Sequence, residues 1–145
     1  MPIGLRAAAV RFALWPSERN AERFDRWAFF DFAEARCQDP EWFAAFSAYT
    51  RLRAAVPQVK QTMSQLLKAG TKQVADAELG RIKVPTVLLW GRQDHFVPLG
   101  LAEAASNNLG WPLHVIDDTG HVPHIERSDA FLDALQADRD AAGRS

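Results

Sequence analysis

The sequence has only one cysteine, Cys37, among its 145 residues. A single thiol cannot form a disulfide within the chain, so a fold held together by internal disulfides is excluded. Free thiols persist in reducing compartments, whereas disulfides persist in oxidising ones. We therefore expect a cytoplasmic protein.

The sequence also lacks an excess of charge of one sign and any long apolar run. Its 17 Lys and Arg nearly balance its 18 Asp and Glu, so there is no basic face for the phosphates of a nucleic acid. The best apolar run, Val84–Trp90, is far shorter than the roughly 18 residues that cross a bilayer. The run Ala7–Val10 lies between two arginines and is not followed by a signal-peptide cleavage site. We expect a soluble globular protein that binds no nucleic acid and has no membrane span.

Residues 17–70 have the apolar spacing of consecutive helices. Ser17 is placed to cap the first helix, and Asp39 with Pro40 has the residue types that begin a second. A third helix is predicted from Pro57 to Gly70. The apolar faces of the three helices are, in order, Phe24, Trp27, Ala28, Phe32 and Ala35; then Trp42, Phe43, Phe46 and Tyr49; then Val59, Met63, Leu66 and Leu67.

From residue 82 onward the pattern changes to alternating strands and helices. Val84–Trp90 is typical of a strand buried on both faces of a parallel sheet, and Leu113–Ile116 is the second predicted strand. Pro98 begins a predicted helix between them, which ends at Gly110. A last helix is predicted from Ser128, with Phe131, Leu132 and Leu135 on its apolar face. The predicted fold class is α/β, in which ligands bind at the carboxyl ends of the strands.

Two residues that carry chemistry follow these strands. Asp94 comes just after the first strand, and His121 lies in the loop after the second. A carboxylate and an imidazole in these places are the acid and base of a catalytic triad, which also needs a nucleophile. No serine of the chain lies in a GxSxG strand-to-helix turn. The sequence therefore supplies two members of a triad and lacks the third.

In their order, these motifs resemble the C-terminal half of an α/β-hydrolase-fold enzyme. The matching features are a strand followed by Gly-Arg-x-Asp and Val97-Pro98, and then Gly120-His121-x-Pro123-x-x-Glu126. The resemblance implies a partial α/β-hydrolase fold. Residues 1–80 would form a helical cap or lid, and residues 81–145 would form the C-terminal part of the core, with its last two parallel strands and their helices. It implies no cofactor and no metal.

The resemblance also assigns roles to individual residues. Asp94 would be the triad acid, and His121 the general base that activates first the nucleophile and then a water. Gly120 would let the backbone approach closely, and Glu126 would support the histidine loop. Five aromatic residues of the cap would line a pocket for a small apolar substrate, although packing is the commoner use of such residues: Trp27, Phe29, Phe30, Phe46 and Tyr49.

The family's nucleophile elbow, oxyanion loop and first five or six strands would all precede Met1. We therefore expect a hydrolase of an ester or related bond that needs the missing N-terminal half of its core as a partner, and this chain alone to be inactive. An aspartate nucleophile would instead make it a dehalogenase or an epoxide hydrolase. The single tyrosine argues against the latter, since capped epoxide hydrolases usually use two. The alternative from another class is a non-catalytic folded or interaction module, because two strands without neighbours leave an unpaired sheet edge.

Simpler interpretations of the same residues stay open at this point. Asp94 could be an ordinary turn residue, since aspartate after a strand is common for that reason. His121 could form part of a metal site with His124 and Asp94, although His-x-x-His in a loop is a weak signal. Cys37 could be a nucleophile, but its expected place at a helix C-terminus disfavours a thiolate.

Overall fold

The computed structural model describes residues 2–70 and 74–142. Within these ranges the elements in chain order are α1 (Ile3–Leu14), α2 (Glu18–Ala28), α3 (Phe32–Gln38), α4 (Pro40–Ala55), α5 (Pro57–Gly70), α6 (Asp76–Leu79), β1 (Leu88–Gly91), α7 (Leu99–Leu109), β2 (Leu113–Ile116), α8 (Pro123–Glu126) and α9 (Ser128–Ala142). None of these helices has both the length and the apolar character needed to cross a membrane.

The described residues form two compact units. Those of 1–27 and 32–73 make up the first unit, and those of 28–31 and 74–145 make up the second. The short segment 28–31 therefore packs with the second unit although its flanking helices belong to the first. The division of the chain at residue 80 into cap and core stays a prediction.

Helix α1 of the first unit is not predicted by the sequence pattern. Its buried side consists of Leu5, Ala8 and Phe12, which are spaced three and four residues apart. Apolar residues also occupy its other side, where Ile3 is 87% exposed. Because apolar residues lie on both sides of the helix, no single stripe marks it in the sequence.

The prediction of one helix from Phe24 to Ala35 is wrong. Ser17 caps α2 as predicted, its Oγ accepting from the N–H of Asn20 at 3.4 Å, but α2 ends at Ala28. The chain becomes helical again only at Phe32. Between them, backbone N–H groups donate to a distant carboxylate rather than to helical carbonyls, as described for the site below.

The second predicted helix start is confirmed. Asp39 caps α4, its side chain accepting from the N–H of Trp42 at 2.9 Å, and Pro40 takes the first helical position. Phe43 is buried, whereas Tyr49 is 62% exposed, so the predicted stripe is only partly covered. α5 spans Pro57–Gly70. The predicted packing of Met63, Leu66 and Leu67 concerns side chains outside those that the structure describes.

The second unit contains a parallel pair of strands. β1 and β2 pair from Leu88 opposite Leu113 to Gly91 opposite Ile116. The predicted start of the first strand at Val84 is wrong, because regular pairing begins only at Leu88. Predicted burial on both faces is also wrong. Only the last residue of each strand is buried, since these two strands have no further neighbour among the described residues.

The helix between the strands follows the prediction. α7 begins after Pro98 and ends at Gly110, whose φ of 70° is left-handed and whose N–H donates to the carbonyl of Ser106. α9 also begins where predicted, at Ser128. Its predicted apolar face is only partly covered, since Phe131 is half-buried, whereas Leu132 is 57% exposed and Leu135 36%.

Candidate active site

Asp94 lies in the turn that directly follows β1. Its Oδ1 accepts from the N–H of Phe96 at 2.7 Å and from the N–H of Val97 at 2.9 Å. These are the bonds of a turn-forming aspartate, so the structural interpretation of Asp94 holds. They use only one carboxylate oxygen, and they fix the direction of the other.

The second oxygen of Asp94 faces His121. Asp94 Oδ2 and His121 Nδ1 are 2.9 Å apart, which brings the predicted acid and base together. The Asp94 side chain is 5% exposed and the His121 side chain 41% exposed. His121 Nε2 has no hydrogen-bond partner among residues 2–70 and 74–142. The pair therefore has a buried acid and a base with one ring nitrogen open to a reacting group.

The pKa of Asp94 lies below its ordinary value. Burial acts to raise this pKa, but the hydrogen bond from His121 and the backbone N–H groups of Val97 and Phe96 outweigh it. The carboxyl group is therefore ionised near neutrality and can only accept hydrogen bonds. It follows that Nδ1 of His121 carries the proton in this pair.

Two residues that sequence reasoning missed join the turns after β1 and β2. The N–H of Gln93 donates to the carbonyl of Thr119 at 3.0 Å, and Gln93 Oε1 accepts from the N–H of Thr119 at 3.2 Å. Thr119 is fully buried, and its hydroxyl donates to the carbonyl of Ile116. This reciprocal pairing sets the distance between the turn of Asp94 and the loop of His121. No sequence motif marks it.

Gly120 lies where the histidine loop passes very close to the segment 28–31. A Cβ at Gly120 would lie 2.4 Å from the carbonyl oxygen of Ala28, which is too close for any side chain. The N–H of His121 donates to that same carbonyl at 2.6 Å. The missing side chain of Gly120 thus permits the hydrogen bond that fixes the His121 backbone.

Glu126 holds both the histidine loop and the segment 28–31. Its Oε2 accepts from the N–H of Gly120 at 2.7 Å, and its Oε1 accepts from the N–H groups of Phe30 at 2.6 Å and Asp31 at 3.3 Å. Burial raises the pKa of this carboxyl group, and the three backbone donors partly oppose the increase. These bonds explain why the chain is not helical between α2 and α3. They also place Glu126 where a loop-supporting residue would act.

The five aromatic residues predicted for a substrate pocket do not share one unit. Phe29 and Phe30 belong to the second unit, and Trp27, Phe46 and Tyr49 belong to the first. Phe29 is only 2% exposed and Phe30 is 45% exposed. A cavity of about 240 Å³ in the first unit is lined by other residues, including Glu18, Glu22, Arg36 and Arg51. The predicted pocket stays a prediction.

Other candidates from the sequence are not part of the pair. His124 is exposed, and its ring meets the ring of Phe131 edge-on at 5.9 Å. Within the described ranges, no group of three or more His, Cys, Asp or Glu is arranged to hold a metal ion. Cys37 is exposed near the end of α3. His114, on β2, forms a second pair, with its Nε2 2.5 Å from Oδ2 of Asp138.

The chain is similar to known proteins that are named as hydrolases. A model of the alpha/beta hydrolase family matches residues 1–134. A 2-hydroxy-6-oxononadienedioate/2-hydroxy-6-oxononatrienedioate hydrolase of Klebsiella pneumoniae is 38% identical over 68 residues, or 45% of this chain and 24% of the relative. The hydrolase of the same name from Escherichia coli K12 is 40% identical over 68 residues, with the same coverage.

Two solved structures give the extent of the likeness. The 2-hydroxy-6-oxo-6-phenylhexa-2,4-dienoate hydrolase of Rhodococcus sp. strain RHA1 has a TM-score of 0.72 at 25% identity, covering 94% of this chain and 48% of that one. A bacterial membrane phospholipase A has a TM-score of 0.69 at 23% identity, covering 89% of this chain and 40% of that one, which shows a shared fold. The predicted fold class, a partial α/β-hydrolase fold, is confirmed. The chain spans less than half the length of these structures, and its matches span about a quarter of the curated relatives.

Proposed function

The chain belongs to the alpha/beta hydrolase family, and we propose that it supplies the acid Asp94 and the base His121 of a hydrolase. The observation that carries the proposal is the 2.9 Å contact between Asp94 Oδ2 and His121 Nδ1. Support comes from the surroundings of the pair, since backbone donors fix the acid and the loop of the base is tied at Gly120 and Thr119.

The two ring nitrogens of His121 have different roles in the proposed reaction. Nδ1–H donates to Asp94, which fixes the tautomer and stabilises the imidazolium that forms when the base takes a proton. Nε2 faces away from the acid, and the side chain is 41% exposed. In the proposed reaction Nε2 accepts the proton of the nucleophile, returns it to the leaving group, and then deprotonates a water.

The nucleophile has to come from outside the 145 residues. We propose that the N-terminal half of the hydrolase core supplies it, and that this chain alone is inactive. The coverage supports this, because the chain matches 48% of the Rhodococcus structure. Whether that nucleophile is serine or aspartate is not encoded in Asp94 and His121, since both residues serve either one.

The names of the relatives support a proposal for the substrate class. Both names contain a 2-hydroxy-6-oxo acid, a compound with a ketone at carbon 6. Attack on that ketone followed by departure of a neighbouring carbon is hydrolysis of a carbon–carbon bond, a relative of ester hydrolysis that uses the same acid and base. We propose this bond type as the first candidate and an ester as the second.

The test joins this chain to the part of the Rhodococcus hydrolase that it does not cover. We expect the hybrid to consume 2-hydroxy-6-oxo-6-phenylhexa-2,4-dienoate, which is measured as the loss of the substrate's diene absorbance. We expect the chain alone not to consume it. H121A should lower kcat by about 10³- to 10⁴-fold, because it removes the base. H124A is the matched control, since it removes a nearby exposed histidine, and kcat should stay within about threefold.

Thermal melting of the hybrid shows whether it is folded. A folded hybrid whose kcat is the same with and without His121 would contradict the assignment of the base. A folded but wholly inactive hybrid would favour the alternative of a non-catalytic module.

A further inference from the structure

The ring of Phe96 lies against the ring of His121. The two ring centres are 4.8 Å apart and the ring planes are inclined by 18°, so the rings are stacked nearly parallel. The stack covers one face of the imidazole. The contact with Asp94 lies at the edge of the same ring, at Nδ1. His121 is therefore held at one edge and on one face.

Phe96 is itself held in place by the acid of the pair. Its N–H donates to Asp94 Oδ1 at 2.7 Å, while Asp94 Oδ2 meets His121. The next residue, Val97, donates to the same Oδ1 and accepts from Trp90 Nε1 at 3.0 Å. Since Trp90 lies on β1, the backbone that carries the stacked ring is tied to the strand as well as to the carboxylate.

One hydrogen bond is a weak constraint on a ring as exposed as that of His121, whose side chain is 41% exposed. The ring can turn about its bond to Cβ, and water can then replace Asp94 at Nδ1. A stacked aromatic ring opposes this rotation, because rotation would lose the face-to-face contact. Aromatic pairs of this kind shift such an equilibrium by up to roughly tenfold.

We propose that Phe96 is a positioning residue that keeps the His121 ring in the orientation in which Nδ1 meets Asp94 and Nε2 faces the reacting group. This inference rests on the proposed acid and base roles of the pair. In a hydrolase assembled with its nucleophile, F96L should lower kcat by about two- to threefold with little change in KM, because a shift of up to about tenfold in the equilibrium still leaves part of the His121 rings in the competent orientation.

The direct test is ¹⁵N NMR of the histidine rings in the 145-residue chain, at about pH 8, where an ordinary imidazole is neutral. The intact chain should show mainly the Nδ1–H form of His121. F96L should lower the ratio of the Nδ1–H form to the Nε2–H form by several-fold, and F96Y, which keeps an aromatic face, should restore it. F131L is the matched control, because it removes a ring that meets His124 instead.

Two results would overturn the inference. One is an F96L spectrum in which the signals of His121 are unchanged, as expected for F131L. The other is an F96Y variant that does not restore the Nδ1–H form, because the effect would then come from the geometry of the loop and not from the aromatic ring. Should F96L not fold, the intact chain still decides. His121 ring protons stacked on Phe96 must shift upfield from their positions in the urea-unfolded chain, and unshifted protons would refute the stack.

The D94N variant separates this inference from the proposed function. If D94N changes the His121 tautomer and F96L does not, only the role of Phe96 fails. If neither variant changes it, the pairing of acid and base fails as well.

Discussion

Two aspartates of this protein, one in each unit, have little contact with water and yet behave in opposite ways. The side chain of Asp94 is 5% exposed, and Asp25 is 5% exposed as a whole residue. The pKa of Asp94 lies below its ordinary value, whereas the pKa of Asp25 is raised from 3.8 to about 6. Burial by itself therefore does not decide the charge of a carboxyl group in this fold.

The difference lies in the partners of the two carboxylates. Both oxygens of Asp94 accept hydrogen bonds, from Phe96 and Val97 at Oδ1 and from His121 at Oδ2. The pKa of Asp25 is raised mainly by burial and secondly by the negative charge of Glu22. The buried Oδ2 of Asp25 has no hydrogen-bond partner within the described part of the chain. A buried carboxylate stays ionised where donors converge on it, and takes up a proton where they do not.

The largest effect expected from this contrast is on catalysis. In the hybrid hydrolase, D94N should lower kcat by about 10⁴-fold, because an amide at this place no longer fixes the tautomer or stabilises the imidazolium. D25N is the control, because it changes another buried aspartate, in the other unit, and kcat should stay within about threefold. Stopped-flow or steady-state measurement of diene loss would compare the two. Equal losses in D94N and D25N would show that burial, rather than partnership with His121, sets the importance of an aspartate.

The second effect is on the pH dependence of stability. The pKa of Asp25 is higher in the folded chain than in the unfolded one. The protonated Asp25 therefore stabilises the fold fully below about pH 4, and this stabilisation is lost as pH rises through about 6. D25N cannot ionise and escapes this loss. The free energy of unfolding of D25N relative to the unmodified chain should therefore rise by about 2.5 kcal/mol between about pH 4 and pH 7, since each pKa unit is worth about 1.4 kcal/mol and a small part of the loss has already occurred at pH 4.

Urea unfolding of the 145-residue chain at the two pH values measures this change, and the comparison across pH cancels any packing cost of the amide. E22Q is the control that keeps Asp25 and removes the second cause of its shift. In E22Q the loss of stability with rising pH should be smaller than in the unmodified chain but still present. A D25N variant whose advantage is the same at both pH values would contradict the raised pKa.

The sequence predicted those features of the fold whose determining residues lie close together in the chain. The α4 cap at Asp39 and the end of α7 at Gly110 are determined by residues close to them in sequence. Their signals are local, and the structure has them where the pattern placed them. Asp94 and His121 could be paired from sequence because parallel strands bring their carboxyl ends together.

The features that the sequence did not predict depend on contacts between distant segments. The interruption at 29–31 comes from hydrogen bonds between Glu126 and backbone groups about 95 positions earlier in the chain. The stack of Phe96 on His121 and the pairing of Gln93 with Thr119 are of the same kind. Periodicity describes one element at a time, so it predicted a continuous helix where a long-range carboxylate determines the backbone.

The smallest expected effect concerns a third aspartate, Asp138, which has a histidine partner as Asp94 does but is less buried. Asp138 Oδ2 is 2.5 Å from His114 Nε2, and the two side chains are 22% and 36% exposed. D138N should lower the free energy of unfolding by only about 0.5 kcal/mol, as expected for a partly exposed pair. Urea unfolding should detect an even smaller difference in about 1 M salt, where the screening length is about 3 Å. A loss above about 2 kcal/mol that persists in salt would mean that a histidine neighbour suffices for a strong contribution. The converging backbone donors and low exposure of Asp94 would then not be what distinguishes it.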